Sequence, residues 1–135
     1  MGSRPKEQTF TERYRLSGAD PLIESELEVL GSDYQANGYT TMSQADDLGL
    51  HLRLRAGDRL LDIGSGCGWP GLYLAKEYGC DVVVIDPIID GVRVAGARAV
   101  HDEMDRRESG VQGLGSDLPF VERSFDAVVH ADVVC

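Results

Sequence analysis

The sequence predicts an α/β fold, a parallel sheet with helices on both faces. Three observations carry that expectation. From Arg59 onward, strand-like and helix-like segments alternate, the order that produces parallel βαβ units. The segments "CDVVVID" and "FDAVVHADVV" are near-continuous apolar runs, as strands covered on both sides must be. Between the first strand and the first helix of that series lies "DIGSGCG", with glycines at alternate positions behind an aspartate.

The elements follow in order. Residues 1–15 are polar and charged, and the reading expects them to be poorly ordered or tag-derived. A helical lead-in occupies 16–57. Its first helix lies in 19–34, with Asp20 as N-cap and Pro21 at the first helical position. Leu22, Ile23, Leu27 and Leu30 form its apolar face, and Gly31 stops it. After a turn at Asn37-Gly38 comes a second helix, capped by Thr41 or Ser43, with Met42, Ala45, Leu48 and Leu52 facing inward. "RAGD" turns the chain into the main domain, residues 58–135. There the sequence predicts a strand at 59–63, a glycine loop at 64–68 and a helix at 70–78 with Pro70 in its first turn. A strand at 81–86, a helix at 90–107 and a short strand at 111–114 come next. The loop "GSDLPF" and a strand at 125–130 complete the series.

Composition narrows the function. With 135 residues, 42% apolar and 27% charged, the chain suits one soluble core. A formal charge of −10 with no basic run opposes long-range attraction to nucleic acid or anionic membranes. No apolar stretch approaches the roughly 20 residues of a membrane span, and the N-terminus shows neither a secretory h-region nor a myristoylation pattern. Cys67, Cys80 and Cys135 have no zinc spacing, so reduced thiols, a cytoplasmic location and no metal are expected.

A sharp strand-to-helix turn needs residues without Cβ, both for unusual φ/ψ and to let a ligand lie against the backbone. Gly64, Gly66 and Gly68 meet that need, and the N–H groups of the following helix attract polar or anionic ligand groups. The glycines alone do not choose the ligand. Counted from Gly64, the third fingerprint place for a dinucleotide is Trp69; counted from Gly66, "GCGWPG" satisfies G-x-G-x-x-G. Asp86 follows the loop by about 20 residues, the spacing of a ribose-binding carboxylate. Asp62 also reads as a turn cap, Asp86 before Pro87 as a turn aspartate, and Asp117 as ordinary turn chemistry.

Taken together, these motifs resemble the class I S-adenosylmethionine-dependent methyltransferases of small-molecule or lipid type. Asp62, Gly64, Gly66 and Gly68 match that family's first motif, acidic-x-Gly-x-Gly-x-Gly. The resemblance implies that the loop, Ser65 included, holds the amino-acid portion of S-adenosyl-L-methionine, with Asp62 near its ammonium group. It implies that Asp86, with Pro87 after it, meets the ribose, and that Asp117 and Leu118 meet the adenine. His130, in "HADV", would approach the cofactor and the acceptor cavity. A structural role is favoured for it over a catalytic base, and no catalytic residue is assigned. Trp69 packs over the loop or lines the pocket. Tyr39 and Thr40 either close over the cofactor or cap a helix.

The resemblance also implies a Rossmann-like, seven-stranded sheet in the order 3-2-1-4-5-7-6, of which only strands 1–4 are present. A C-terminally truncated domain is therefore expected, with an incomplete acceptor half-site and uncertain turnover. Self-association through the apolar strand at 125–135 is expected too. The partner would be a small-molecule methyl acceptor, since the fourth strand lacks the Asn/Asp-Pro-Pro-Tyr/Phe signature of nucleobase methylation. Two alternatives stay open: a non-catalytic cofactor-binding or assembly module, and a NAD-dependent oxidoreductase.

Overall fold

The computed structural model describes residues 20–36 and 38–131. The expectations for residues 1–15, for Asn37 and for residues 132–135 lie outside them. The elements are α1 (Asp20–Leu30), α2 (Met42–Leu52), β1 (Arg59–Ile63), α3 (Gly71–Tyr78), β2 (Asp81–Asp86), α4 (Ile89–His101), β3 (Glu108–Gln112) and β4 (Ala127–Val129). The strands form one parallel sheet in the order β3-β2-β1-β4, as expected.

α1 ends at the stop expected at Gly31 and begins at Asp20, one place before the expected first helical position. Gly31 adopts φ +76°, and its N–H returns to the carbonyls of Glu26 and Leu27, ending the helix there. The expected apolar face also differs, because Leu27 is half exposed while Glu26 is buried. Glu26 turns inward because its Oε1 accepts the Tyr34 N–H at 2.8 Å and the Ser32 hydroxyl, folding residues 32–34 back onto the helix. In α2, Thr41 is the cap. Its Oγ1 accepts from Gln44 N at 3.2 Å while Gln44 Oε1 accepts from Thr41 N at 2.9 Å, a reciprocal capping box. Pro70 stands at the N-cap of α3, one place earlier than the sequence suggests.

Two further boundaries move. α4 stops at His101 instead of reaching 107, because Glu103 takes the left-handed conformation at φ +58°. The N–H groups of Glu103 and Met104 then close onto Val100 and Ala99, a Schellman ending that buries Met104. β3 lies at 108–112, three residues before its predicted start, because pairing with β2 sets its register from Val82↔Glu108 to Asp86↔Gln112. Gly110 suits that place, since a Cβ there would fall 2.6 Å from Val92 Cγ1 of α4. β4 is reduced to three residues, opened by Asp126, whose Oδ2 accepts Arg59 N and whose N–H donates to Arg59 O, each at 2.8 Å.

Right-handed crossovers in the order β3-β2-β1 put α3 and α4 on the same face of the sheet. There Leu60, Val82, Val84 and Val129 form one core with Leu72, Leu74, Ala75, Ala95 and Ala99. On the alternate face, among the described residues, the loop after β3 lies against the sheet: a Cβ at Gly113 would meet Ile85 and one at Gly115 would meet Ile63.

Candidate functional site

The site is built where β1 and β2 end side by side. Asp62 and Asp86 are both buried, at 1% and 3% exposure. Asp86 is an acceptor for the loop itself: Oδ2 takes the Gly66 N–H and Oδ1 the Ile88 N–H, both at 2.9 Å. The N–H groups of Gly64 and Ser65 reach Ile85 O at 2.8 and 3.2 Å, so the loop is pinned to the end of β2. Gly64, Gly66 and Gly68 all have positive φ, +67°, +56° and +100°, which β-carbon-bearing residues rarely adopt. At Gly68 a Cβ would also meet Leu72 at 2.5 Å, so close packing under α3 requires glycine there whatever the loop binds.

Asp62 sits directly beneath the start of α3. Its Oδ2 accepts the Gly71 N–H at 2.9 Å, and a Cβ on Gly71 would fall 2.5 Å from that oxygen. Asp62 Oδ1 and the nearby Ser65 hydroxyl are buried without a hydrogen-bond partner. Burial pushes the Asp62 carboxyl well above the usual carboxylate range; the Gly71 N–H opposes that shift and the charge of Asp86 adds to it. Asp62 Oδ2 already takes the first N–H of α3, which leaves that donor unavailable to a pyrophosphate and argues against the dinucleotide reading of the same glycines.

The other predicted residues stand further out. Pro87 is exposed beside Asp86, and its carbonyl accepts from Gln112 Nε2 at 3.1 Å. Asp117 and Leu118 lie in the exposed loop after β3, where Asp117 N donates to Leu114 O at 3.2 Å. His130, just past β4, is exposed and lines a cleft of about 540 Å³ with Tyr39, Gln44, Asp47, His51 and Ala131. Asp132 lies outside the described residues.

Sequence reasoning missed how the lead-in is attached. Trp69 is buried and donates from Nε1 to Thr40 O at 2.9 Å, which ties residues 38–41 to the glycine loop. Thr40 is therefore a backbone anchor for the loop, while the neighbouring Thr41 does the capping. Tyr34 and Tyr73 pack on Trp69 with ring centroids 5.2 and 5.4 Å away, and the Arg98 guanidinium lies 3.8 Å over Tyr34. Burial, partly offset by Arg98, pushes the Tyr34 hydroxyl up to about 12. The four-residue spacing from Trp69, in the turn before α3, to Tyr73 within it is the local signal for this cluster.

A methyltransferase domain family matches residues 60–135, which include the loop and both buried aspartates. The chain belongs to the class I S-adenosylmethionine-dependent methyltransferases. Among curated members of that family, 27-O-demethylrifamycin SV methyltransferase of Amycolatopsis mediterranei is 38% identical over 115 residues, covering 82% of this chain and 42% of that protein. A solved methyltransferase of Geobacter sulfurreducens, in complex with S-adenosyl-L-homocysteine, is 25% identical with a TM-score of 0.58 and covers 84% of this chain and 38% of that one. One of Thiobacillus denitrificans, with the same ligand, is 32% identical with a TM-score of 0.50, covering 54% and 29%. The chain thus spans less than half the length of these methyltransferases. The residues present fit the family's cofactor: Asp62 Oδ1 and Ser65 Oγ are buried polar atoms that a ligand's ammonium or hydroxyl groups would satisfy.

Proposed function

We propose that this chain binds S-adenosyl-L-methionine across the ends of β1 and β2 and serves methyl transfer to a small-molecule or lipid acceptor. The observation that carries this reading is the pair of buried carboxylates framing a positive-φ glycine turn, with Asp62 Oδ1 and Ser65 Oγ left to a ligand. Asp62, Gly64, Ser65, Gly66 and Gly68 would cradle the amino-acid portion. Asp86 and Pro87 would face the ribose, Asp117 and Leu118 the adenine, and His130 the acceptor side. When bound, the cofactor supplies an electrophilic methyl group on a sulfonium. The chain's own residues orient it, and the cleft between α2 and the end of β4 is positioned to take an acceptor.

A small acceptor is supported by relatives named for rifamycin and sterol methylation, the latter 27% identical in Kluyveromyces lactis. The charge of −10 supports a partner other than nucleic acid. A cytoplasmic location is supported by Cys67 and Cys80 outside any disulfide, and no helix among the described residues is long and apolar enough to cross a membrane.

Calorimetric titration tests the main reading. Binding of S-adenosylmethionine and S-adenosylhomocysteine, with no heat from NAD and loss of both in Asp86→Ala, is the expected result. Binding of NAD in their place would overturn it.

A further inference from the structure

Asp62 is a buried carboxyl with one oxygen satisfied and one without a partner. Such an oxygen is costly to keep charged in a low-dielectric site, and it has two ways out: a proton or a cation. Among the described residues, the surroundings of Asp62 supply no cation. From β2 it is faced by Asp86, whose charge opposes ionisation. In the sheet, β2 sets Val84 beside it and β4 sets Val129. α3 sets Gly71 against it, and His130 beyond Val129 is exposed.

We propose that the Asp62 carboxyl carries a proton in the ligand-free chain and releases it when the cofactor's ammonium group docks against Oδ1. Cofactor binding is then coupled to the loss of one proton to solvent. This rests on the reading of the loop as the seat of the cofactor's amino-acid portion. The step balances: the O–H bond of Asp62 breaks, its electron pair stays on the carboxylate, the proton goes to buffer, and an ion pair replaces it. The sign follows directly. A proton on Asp62 competes with the ammonium, so affinity weakens as pH falls below the ligand-free value of Asp62 and is constant above it.

The test is calorimetric titration of the full chain with S-adenosylhomocysteine near neutral pH, in phosphate and in Tris, whose ionisation heats differ widely. The expected result is a buffer-dependent heat equivalent to most of one proton released, with affinity falling about tenfold per pH unit on the acid side. Asp62→Asn, which keeps an oxygen for Gly71 N, is expected to abolish both the proton release and the pH slope. Binding with no proton release overturns the coupling and leaves the cofactor reading standing. Absence of binding overturns both. Carbon-13 NMR of the side-chain carboxyls in the ligand-free chain checks the first half alone, and an ionised Asp62 at neutral pH would overturn the coupling regardless of any titration.

Discussion

The turn between β1 and α3 and the connection between β3 and β4 both carry aspartates that the motifs single out, and they hold them in opposite ways. In the first, Asp62 and the neighbouring Asp86 are buried; Asp62 accepts the Gly71 N–H at the start of α3, and Asp86 accepts those of Gly66 in the turn and Ile88 after β2. In the second, Asp117 is exposed, and the bond recorded for it is a backbone turn to Leu114. The first turn is thus built around its carboxylates, while the second merely presents one. On the proposed reading, ligand contact and fold stability would be coupled in the first region and separable in the second.

Substitution is the way to break that contrast. The largest effect is expected for Asp86→Ala, which strands the N–H groups of Gly66 and Ile88. A loss of about 3 kcal/mol in urea unfolding is expected, from two hydrogen bonds to a charged acceptor. A loss below about 0.5 kcal/mol, the range of an ordinary surface change, would mean the loop does not depend on Asp86. Gly71→Ala comes next. It presses a methyl group onto Asp62 Oδ2, and about 1–3 kcal/mol of destabilisation by overpacking is expected in the same assay. The smallest effect on stability belongs to Asp117→Asn, unchanged within about 0.5 kcal/mol. Its affinity for S-adenosylhomocysteine should nevertheless fall about fivefold, the worth of exchanging a charged acceptor for a neutral one. If Asp117→Asn destabilised the chain as much as Gly71→Ala, the two regions would not differ as described.

The same contrast explains what was legible beforehand. Asp62, the glycines and Asp86 belong to local patterns, a strand end running into a turn, where backbone chemistry leaves few choices of residue. The parallel sheet followed from apolar strands and alternation, and its order β3-β2-β1-β4 from the family resemblance. The boundaries that slipped are those set by partners distant in sequence. β3 was misplaced because "ESGVQ" has little strand character of its own, and its register comes from β2. α4 was drawn too long because a Glu in the left-handed conformation, rather than a glycine, ends it. Glu26, of a residue type that ordinarily faces solvent, is buried because the fold brings Ser32 and Tyr34 over it.

By itself, the sequence determined the alternation of strands and helices, the glycine turn and the two carboxylates at its ends. Hydrophobic period and glycine conformation act over a few residues and need no distant partner. Only the tertiary structure decided that Trp69 would grip Thr40, that Tyr34 would sit between Trp69 and Arg98, and that one oxygen of Asp62 would stay unsatisfied. Those outcomes depend on packing between segments up to 64 residues apart, as from Tyr34 to Arg98. Burial and hydrogen-bond satisfaction are properties of the whole fold, and no local pattern encodes them.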